Sequence, residues 1–299
     1  MSGLDPTRYR ALIEARIFEP QALTTALQAR RRRSRAGADG RLLILAADHT
    51  ARGKLSVGDD PLAIADRFTL LDRLAGALSV PGVDGVLGSA DVLEELAWLG
   101  LLEDRLAIGT MNRGGIIGAT WELDDRVTAY DVEHLAAYGL DGGKTLLRID
   151  HTDPAVARTI EAVAAATTAL ADHALMSLVE ALPYRKDDAG RAVEDPTHEA
   201  MVKTVAIASG LGASSAHTWL KIPGSDRMTE IAAATSLPIL MLGGDPGTDT
   251  DRLISRWDTA MNEPNVRGLV AGRPLLYPPH ESSADAAAQA AEIVHRERS

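Results

Sequence analysis

At 299 residues, 45% of them apolar, the chain can bury a sizeable core in one large domain or two small ones. A net charge of -11 and an isoelectric point near 5.2 argue against a surface for nucleic acid or an anionic membrane. The absence of cysteine removes disulfides, thiolate nucleophiles and cysteine-held metals together; with no signal-type apolar core near the N-terminus and no apolar run of membrane-spanning length, the expected location is cytoplasmic.

Residues 5 to 34 carry helical spacing (Leu12, Ile13 and Ile17, then Leu23, Ala26 and Leu27), broken at Pro20. They end in the run Arg30 to Arg33, which reads as a solvated helix end or linker. Residues 1–40 are accordingly expected to be an N-terminal helical extension, with a separate fold over 41–299.

From residue 41 the pattern becomes regular. Short β-branched or apolar runs occur at 42–48, 84–89, 105–110, 144–150, 174–182, 218–223, 237–244 and 266–273. Helix-like stretches follow them at 60–79, 90–101, 130–139, 154–171, 195–210, 225–235, 249–261 and 282–296. Eight successive strand and helix pairs predict an α/β (β/α)8 TIM barrel, whose functional groups sit at the C-terminal ends of its strands. A doubly wound open sheet is the rival; even spacing and the lack of a GxGxxG opening the first helix favour the barrel. Residues 184–196 are polar and turn-rich, which predicts a mobile loop over the strand ends. Arg113 lies in the glycine-rich loop GTMNRGG after the third strand, where it either contacts a ligand or is merely exposed.

Of 31 basic residues only five are lysines: Lys54, Lys144, Lys186, Lys203 and Lys221. Lys221 stands inside an apolar strand, TWLKIP. A guanidinium stays protonated and cannot act as an amine nucleophile, so a chain that prefers arginine and keeps a buried lysine invites the question of amine chemistry. Strand alternation puts Lys144, Leu146, Arg148 and Asp150 on one face and Trp219 with Lys221 on another. If those faces point inward, two lysines and an arginine meet the carboxylates of Asp48 and Glu180 in the barrel. That set suits imine formation with a ketone or aldehyde, because burial and a second cation both lower a lysine's pKa and a carboxylate can relay protons. The bland alternative is that each lysine reaches past the barrel end into water or pairs with a carboxylate.

The motifs AADHT on the first strand, KTLLR on the fourth, LVEALPY on the fifth, LKIPG on the sixth, Gly-Gly after PILML on the seventh and VAGRPL on the eighth resemble the class I, Schiff-base aldolase superfamily. Within it, the deoxyribose-phosphate and tagatose-bisphosphate aldolase group and the archaeal-type fructose-bisphosphate aldolases are the nearest in pattern. The resemblance spans about residues 41 to 276. It implies a metal-independent aldehyde-lyase without cofactor, acting on a small sugar phosphate, with oligomers common among such barrels. Lys221 would form the imine, Glu180 would transfer protons, Asp48 would hold or protonate substrate hydroxyls, and Lys144 would lower the pKa of Lys221. Gly243, Gly244, Gly272 and Arg273 would hold a phosphate, although the glycines also serve tight turns. Two positions depart from the pattern: His49, which follows the aspartate, and Arg148, an extra inward cation. Arg148 suggests a substrate with a second anionic group, such as the 5-dehydro-2-deoxygluconate 6-phosphate of inositol catabolism, cleaved to dihydroxyacetone phosphate and malonate semialdehyde. Deoxyribose phosphate and the fructose or tagatose bisphosphates are the alternatives. Two other classes stay open: a metal-dependent lyase using His49, His151 and His217 with Asp48 or Asp150, and a non-catalytic sugar-phosphate-binding barrel.

Overall fold

A computed structural model describes residues 3–35, 37–112, 116, 118–244 and 250–297; Arg113 lies outside the described residues. The chain opens with α1 (Pro6–Phe18) and α2 (Gln21–Ala29), then alternates strands and helices: β1 (Leu42–Ala47), α3 (Arg67–Leu78), β2 (Gly85–Gly88), α4 (Ala90–Trp98), β3 (Leu106–Thr110), α5 (Val132–Ala137), β4 (Gly142–Ile149) and α6 (Ala155–Asp172). There follow β5 (Met176–Lys186), β6 (Ala192–Glu194), α7 (His198–Ser209), β7 (Thr218–Pro223), α8 (Met228–Ala232), β8 (Ile239–Leu242), α9 (Thr250–Ala260), β9 (Val266–Ala271), α10 (Arg273–Leu276) and α11 (Ser283–His295). Eight parallel strands pair in the order β4-β3-β2-β1-β9-β8-β7-β5, and pairing of β4 with β5 closes the ring. The protein is a (β/α)8 barrel, as the spacing of its apolar runs predicts.

Alternation along the strands sorts the core into two layers. Leu42, Ile44, Leu87, Ile108, Leu178 and Leu240 fill the barrel, while Leu43, Leu45, Val86, Val179, Leu220 and Ile222 face the helices. The helices begin where side chains satisfy their first free N–H groups. Asp66 accepts from Thr69 N at 2.7 Å ahead of α3, and Ser282 accepts from Asp285 N at 3.1 Å ahead of α11. The cap at Asp66 also explains why the helix expected from residue 60 starts only at Arg67. Residues 49–66 form a long loop at the C-terminal end of β1, folded back on itself by Lys54 N donating to His49 O (3.1 Å) and Ile64 N to Leu55 O (3.0 Å).

The segment expected to be a mobile loop after the fifth strand is instead a β-hairpin. β5 runs on to Lys186 and pairs antiparallel with β6, Tyr184 opposite Glu194 and Lys186 opposite Ala192. Asp187 closes its turn, accepting from Arg191 N at 2.8 Å. Polar residues dominate here because the hairpin stands in solvent and its order comes from the backbone ladder.

The arginine run departs furthest from expectation, for only Arg31 and Arg32 are solvated, while Arg30 and Arg33 are tied into the barrel. Arg30 is buried and donates to Asp141 Oδ2 at 2.7 Å, to Gly139 O at 2.8 Å and to Arg105 O at 3.0 Å. Arg32 takes the other oxygen of Asp141 at 2.9 Å, and Arg33 pairs with Asp84. Asp84 and Asp141 immediately precede β2 and β4, so these ion pairs lie across the N-terminal end of the barrel. His295, between Asp84 and Asp39, joins the same network, and the two carboxylates together raise its pKa to about 9. Leu12 of α1 with Leu23 and Leu27 of α2 is buried in the same apolar layer as the barrel's outer face, each side chain worth about 1.5–3 kcal/mol on burial.

Removing one partner of a buried ion pair leaves the other charge uncompensated, at a cost of about 3–5 kcal/mol. Arg30→Ala is therefore expected to lower the unfolding free energy by about 3 kcal/mol in a urea titration, whereas Arg31→Ala, whose side chain is 69% exposed, leaves the urea midpoint close to that of the wild type.

Candidate active site

At the C-terminal side of the barrel four buried charges form one connected chain. Lys221 on β7 stands in register with Glu180 on β5, and its Nζ lies 2.9 Å from Glu180 Oε1. The second oxygen of Glu180 lies 2.6 Å from Lys144 Nζ, and Lys144 reaches across the ring from β4 to Asp48, just beyond β1, at 3.0 Å. The order is thus Asp48, Lys144, Glu180, Lys221, alternating in charge. All four are at most 6% exposed, so each charge depends on its neighbours in place of water.

The two lysines are pushed in opposite directions. Burial disfavours the ammonium of Lys144, but contact with both Asp48 and Glu180 prevails and holds its pKa above the ordinary lysine value. Burial also disfavours the ammonium of Lys221, the charge of Lys144 adds to that effect, and Glu180 and Asp48 do not offset it, so its pKa falls. Glu180 and Asp48 would be raised by burial, yet the lysines outweigh it and keep both well below the usual carboxylate range. The arrangement yields one fixed ammonium, two carboxylates and one amine released toward its neutral, nucleophilic form.

His49, half-buried beside Asp48, has its pKa lowered to about 3, first by burial and then by Lys221, Arg273 and Lys54, against the pull of Asp48. Near neutral pH its imidazole is uncharged. Gly272 packs against it: a Cβ there would stand 2.5 Å from His49 Cε1 and 2.4 Å from Ala46 O, so only glycine fits between β9 and β1. Gly243 and Gly244 follow β8, and Gly244 adopts φ +66°, in the left-handed region. Arg273 opens α10 and is buried; with His49, Leu70 and Tyr277 it lines a small void between β1, α3 and α10.

Arg148 corrects an expectation. It faces inward from β4, but its guanidinium is already committed: Nη2 and Nε to Asp125 at 2.6 and 3.0 Å, Nη1 to Glu122 at 3.0 Å, and Nη2 also to Glu122 O. The Tyr184 ring covers it at 5.3 Å. Arg148 pins residues 122–125 over the barrel instead of offering a free cation to substrate. Asn112 assists by donating to Asp125 O at 3.0 Å and to Leu146 O at 2.8 Å.

The three histidines considered as a metal set do not meet. His217 precedes β7 at the opposite end of the barrel, where it bonds Arg35 at 3.0 Å, and His151 is exposed beyond β4. Among the described residues no cluster of three or more histidines and carboxylates is arranged to hold a metal. Two residues that sequence reading passed over border the site. Tyr184 shares the face of Glu180 four positions on, a signal that alternation carried. Arg52 lies in the loop after β1, which has no periodicity to mark it.

Residues 40–291 match the Cgl0159-like family model. The chain belongs to that family. Cgl0159 from Corynebacterium glutamicum, known from a crystal structure, is 43% identical and superposes with a TM-score of 0.94 over 98% of both chains, a span that takes in the N-terminal helices. More distant in sequence are a Schiff-base-forming fructose-1,6-bisphosphate aldolase (20% identity, TM-score 0.62, 91% of this chain and 100% of that one) and the fructose-bisphosphate aldolase of Slackia heliotrinireducens (15%, 0.63, 95% and 88%). At that distance they show a shared fold. No curated protein sequence matches the chain.

Removing the ammonium of Lys144 deletes the cation that lowers Lys221 and frees both carboxylates to favour its charge. Lys144→Met is therefore expected to move the pH midpoint for acetylation of Lys221 by acetic anhydride, followed by peptide mass spectrometry, upward by at least about one unit.

Proposed function

We propose that the protein is a class I aldolase that makes or breaks a carbon–carbon bond through an imine on Lys221. The observation that supports this reading above others is the paired and opposite perturbation of two buried lysines sharing Glu180. A binding protein has no use for a desolvated amine, and an ion-pair network built for stability alone does not require the pKa of one lysine to be lowered while that of the other is raised.

In the cleavage direction, neutral Lys221 Nζ attacks the keto carbon of a phosphorylated sugar. The carbinolamine loses water, with the proton relayed by Glu180, the carboxylate 2.9 Å from the amine. The iminium then draws electrons from the bond between its α and β carbons. The β-hydroxyl gives up its proton to a carboxylate, a role we assign to Asp48, and the aldehyde leaves. The remaining enamine takes a proton at the α carbon, and water releases dihydroxyacetone phosphate and restores the amine. Lys144 keeps its charge throughout and so holds Asp48 and Glu180 in place as well as lowering Lys221.

The phosphate of the keto half is assigned to the turns after β8 and β9, at Gly243, Gly244 and Gly272, with Arg273 beneath and neutral His49 beside them. Short helix α10 follows β9 there, as is common where barrels of this fold bind phosphate. Engagement of Arg148 by Asp125 and Glu122 removes the reason for assigning a substrate carboxylate to that residue. 5-Dehydro-2-deoxygluconate 6-phosphate stays a candidate substrate beside fructose and tagatose bisphosphates, and its carboxylate needs another cation.

Incubation with dihydroxyacetone phosphate and sodium borohydride is expected to leave a stable adduct on Lys221, read by intact mass and peptide mapping. Lys221→Met is expected to abolish the adduct and lower cleavage by at least about 10³-fold; a folded protein that gives no adduct on Lys221 with dihydroxyacetone phosphate or other keto phosphates would rule out the imine mechanism.

A further inference from the structure

One cation at the mouth of the barrel is not used by the chemistry described above. Arg52 lies in the loop after β1, half-buried, and its guanidinium has no hydrogen-bond or ion-pair partner among the described residues; its Nε is buried from water. Together with Lys54, Ser56, Pro61, Glu122 and Tyr184 it lines an open cleft of about 350 Å³. Tyr184 is four residues beyond Glu180 on the same face of β5, about 13 Å further along the strand. The cleft therefore lies beyond the tetrad at the C-terminal mouth, walled mainly by the loop after β1, with Tyr184 of β5 and Glu122 of the loop after β3 completing it. Arg52 is close enough for its charge to act on Lys144, Glu180 and Tyr184. A guanidinium that is partly desolvated, has no partner among the described residues and faces an open cleft calls for an anion. Arg148, which shares Glu122 and Tyr184 with this cleft, already has its carboxylates.

Resting on the aldolase reading, we propose that Arg52 is the specificity-determining residue that receives an anionic group, phosphate or carboxylate, on the aldehyde half of the substrate. The preferred substrate then carries anions at both ends, one at the turns of β8 and β9 and one at Arg52.

The test compares wild type and Arg52→Gln in the synthesis direction, with dihydroxyacetone phosphate and one of three aldehydes: glyceraldehyde 3-phosphate, malonate semialdehyde or uncharged glyceraldehyde. The ratio of kcat/KM for an anionic aldehyde to that for glyceraldehyde is expected to fall about 100-fold in Arg52→Gln, with part of the loss restored by Arg52→Lys. Whichever anionic aldehyde shows the larger fall identifies the group as phosphate or carboxylate. An equal loss for all three aldehydes, or none, would overturn the proposal. Borohydride trapping with dihydroxyacetone phosphate alone, run on both proteins, separates the two levels, because an adduct on Lys221 in both shows the imine chemistry to be intact. If wild type gives no adduct, calorimetric titration with inorganic phosphate and with malonate decides the Arg52 site on its own: one site lost in Arg52→Gln supports it, and unchanged binding refutes it.

Discussion

Four ionisable side chains placed in one low-dielectric chamber are the constraint on which this molecule is organised. Moving a carboxylate or ammonium out of water costs several kcal/mol per ion even after relaxation, and only close partners offset it. The chain of Asp48, Lys144, Glu180 and Lys221 spaces alternate charges at 2.6 to 3.0 Å, close enough for each to compensate the next. Lys144, with a carboxylate on either side, keeps its proton; Lys221, at the end with one, is where the balance tips toward the neutral amine. If Lys221 gives up its proton the tetrad carries one net negative charge, and the charge of Arg52 at its mouth counters it.

Such spacing demands a rigid frame, and the barrel supplies it by dividing labour between its ends. At the C-terminal end, strand register sets Lys221 beside Glu180 and glycine at 272 lets β9 approach β1 closely. Arg148 spends its guanidinium on Asp125 and Glu122, fixing the loop that borders the mouth. At the N-terminal end, Arg30, Arg32 and Arg33 tie the α1 and α2 segment to the carboxylates that precede β2 and β4. The charge pairs at that end tie the helical segment to the barrel, while those at the other end make up the candidate site.

Much of this was legible in the sequence because it is local. The strand holding TWLKIP runs over Thr218–Pro223 as its apolar run predicts, and period-2 alternation was enough to turn Lys144, Glu180 and Lys221 toward one chamber. What escaped depends on partners far along the chain. Arg148 looked free because Asp125 approaches from a loop 23 residues away, and the arginine run looked solvated because Asp84 and Asp141 are 51 and 111 residues from their partners. Polar composition at 184–196 read as a loop, since a solvated hairpin hides its ladder in the backbone. Arg52 carried no signal at all, being placed by tertiary folding of a loop without period.

The central claim is that this network holds two buried lysines on opposite sides of the ordinary lysine pKa. With only five lysines in the chain, ¹³C labelling at Cε gives a spectrum simple enough to assign by Lys144→Met and Lys221→Met, and a pH titration reads each amine directly. The account requires the Lys221 signal to titrate below the ordinary value near 10.4 while Lys144 remains protonated beyond it. A Lys221 that titrates at or above that value in the folded protein would contradict the account, because the amine proposed to attack the substrate would then be an ordinary ammonium in a salt bridge.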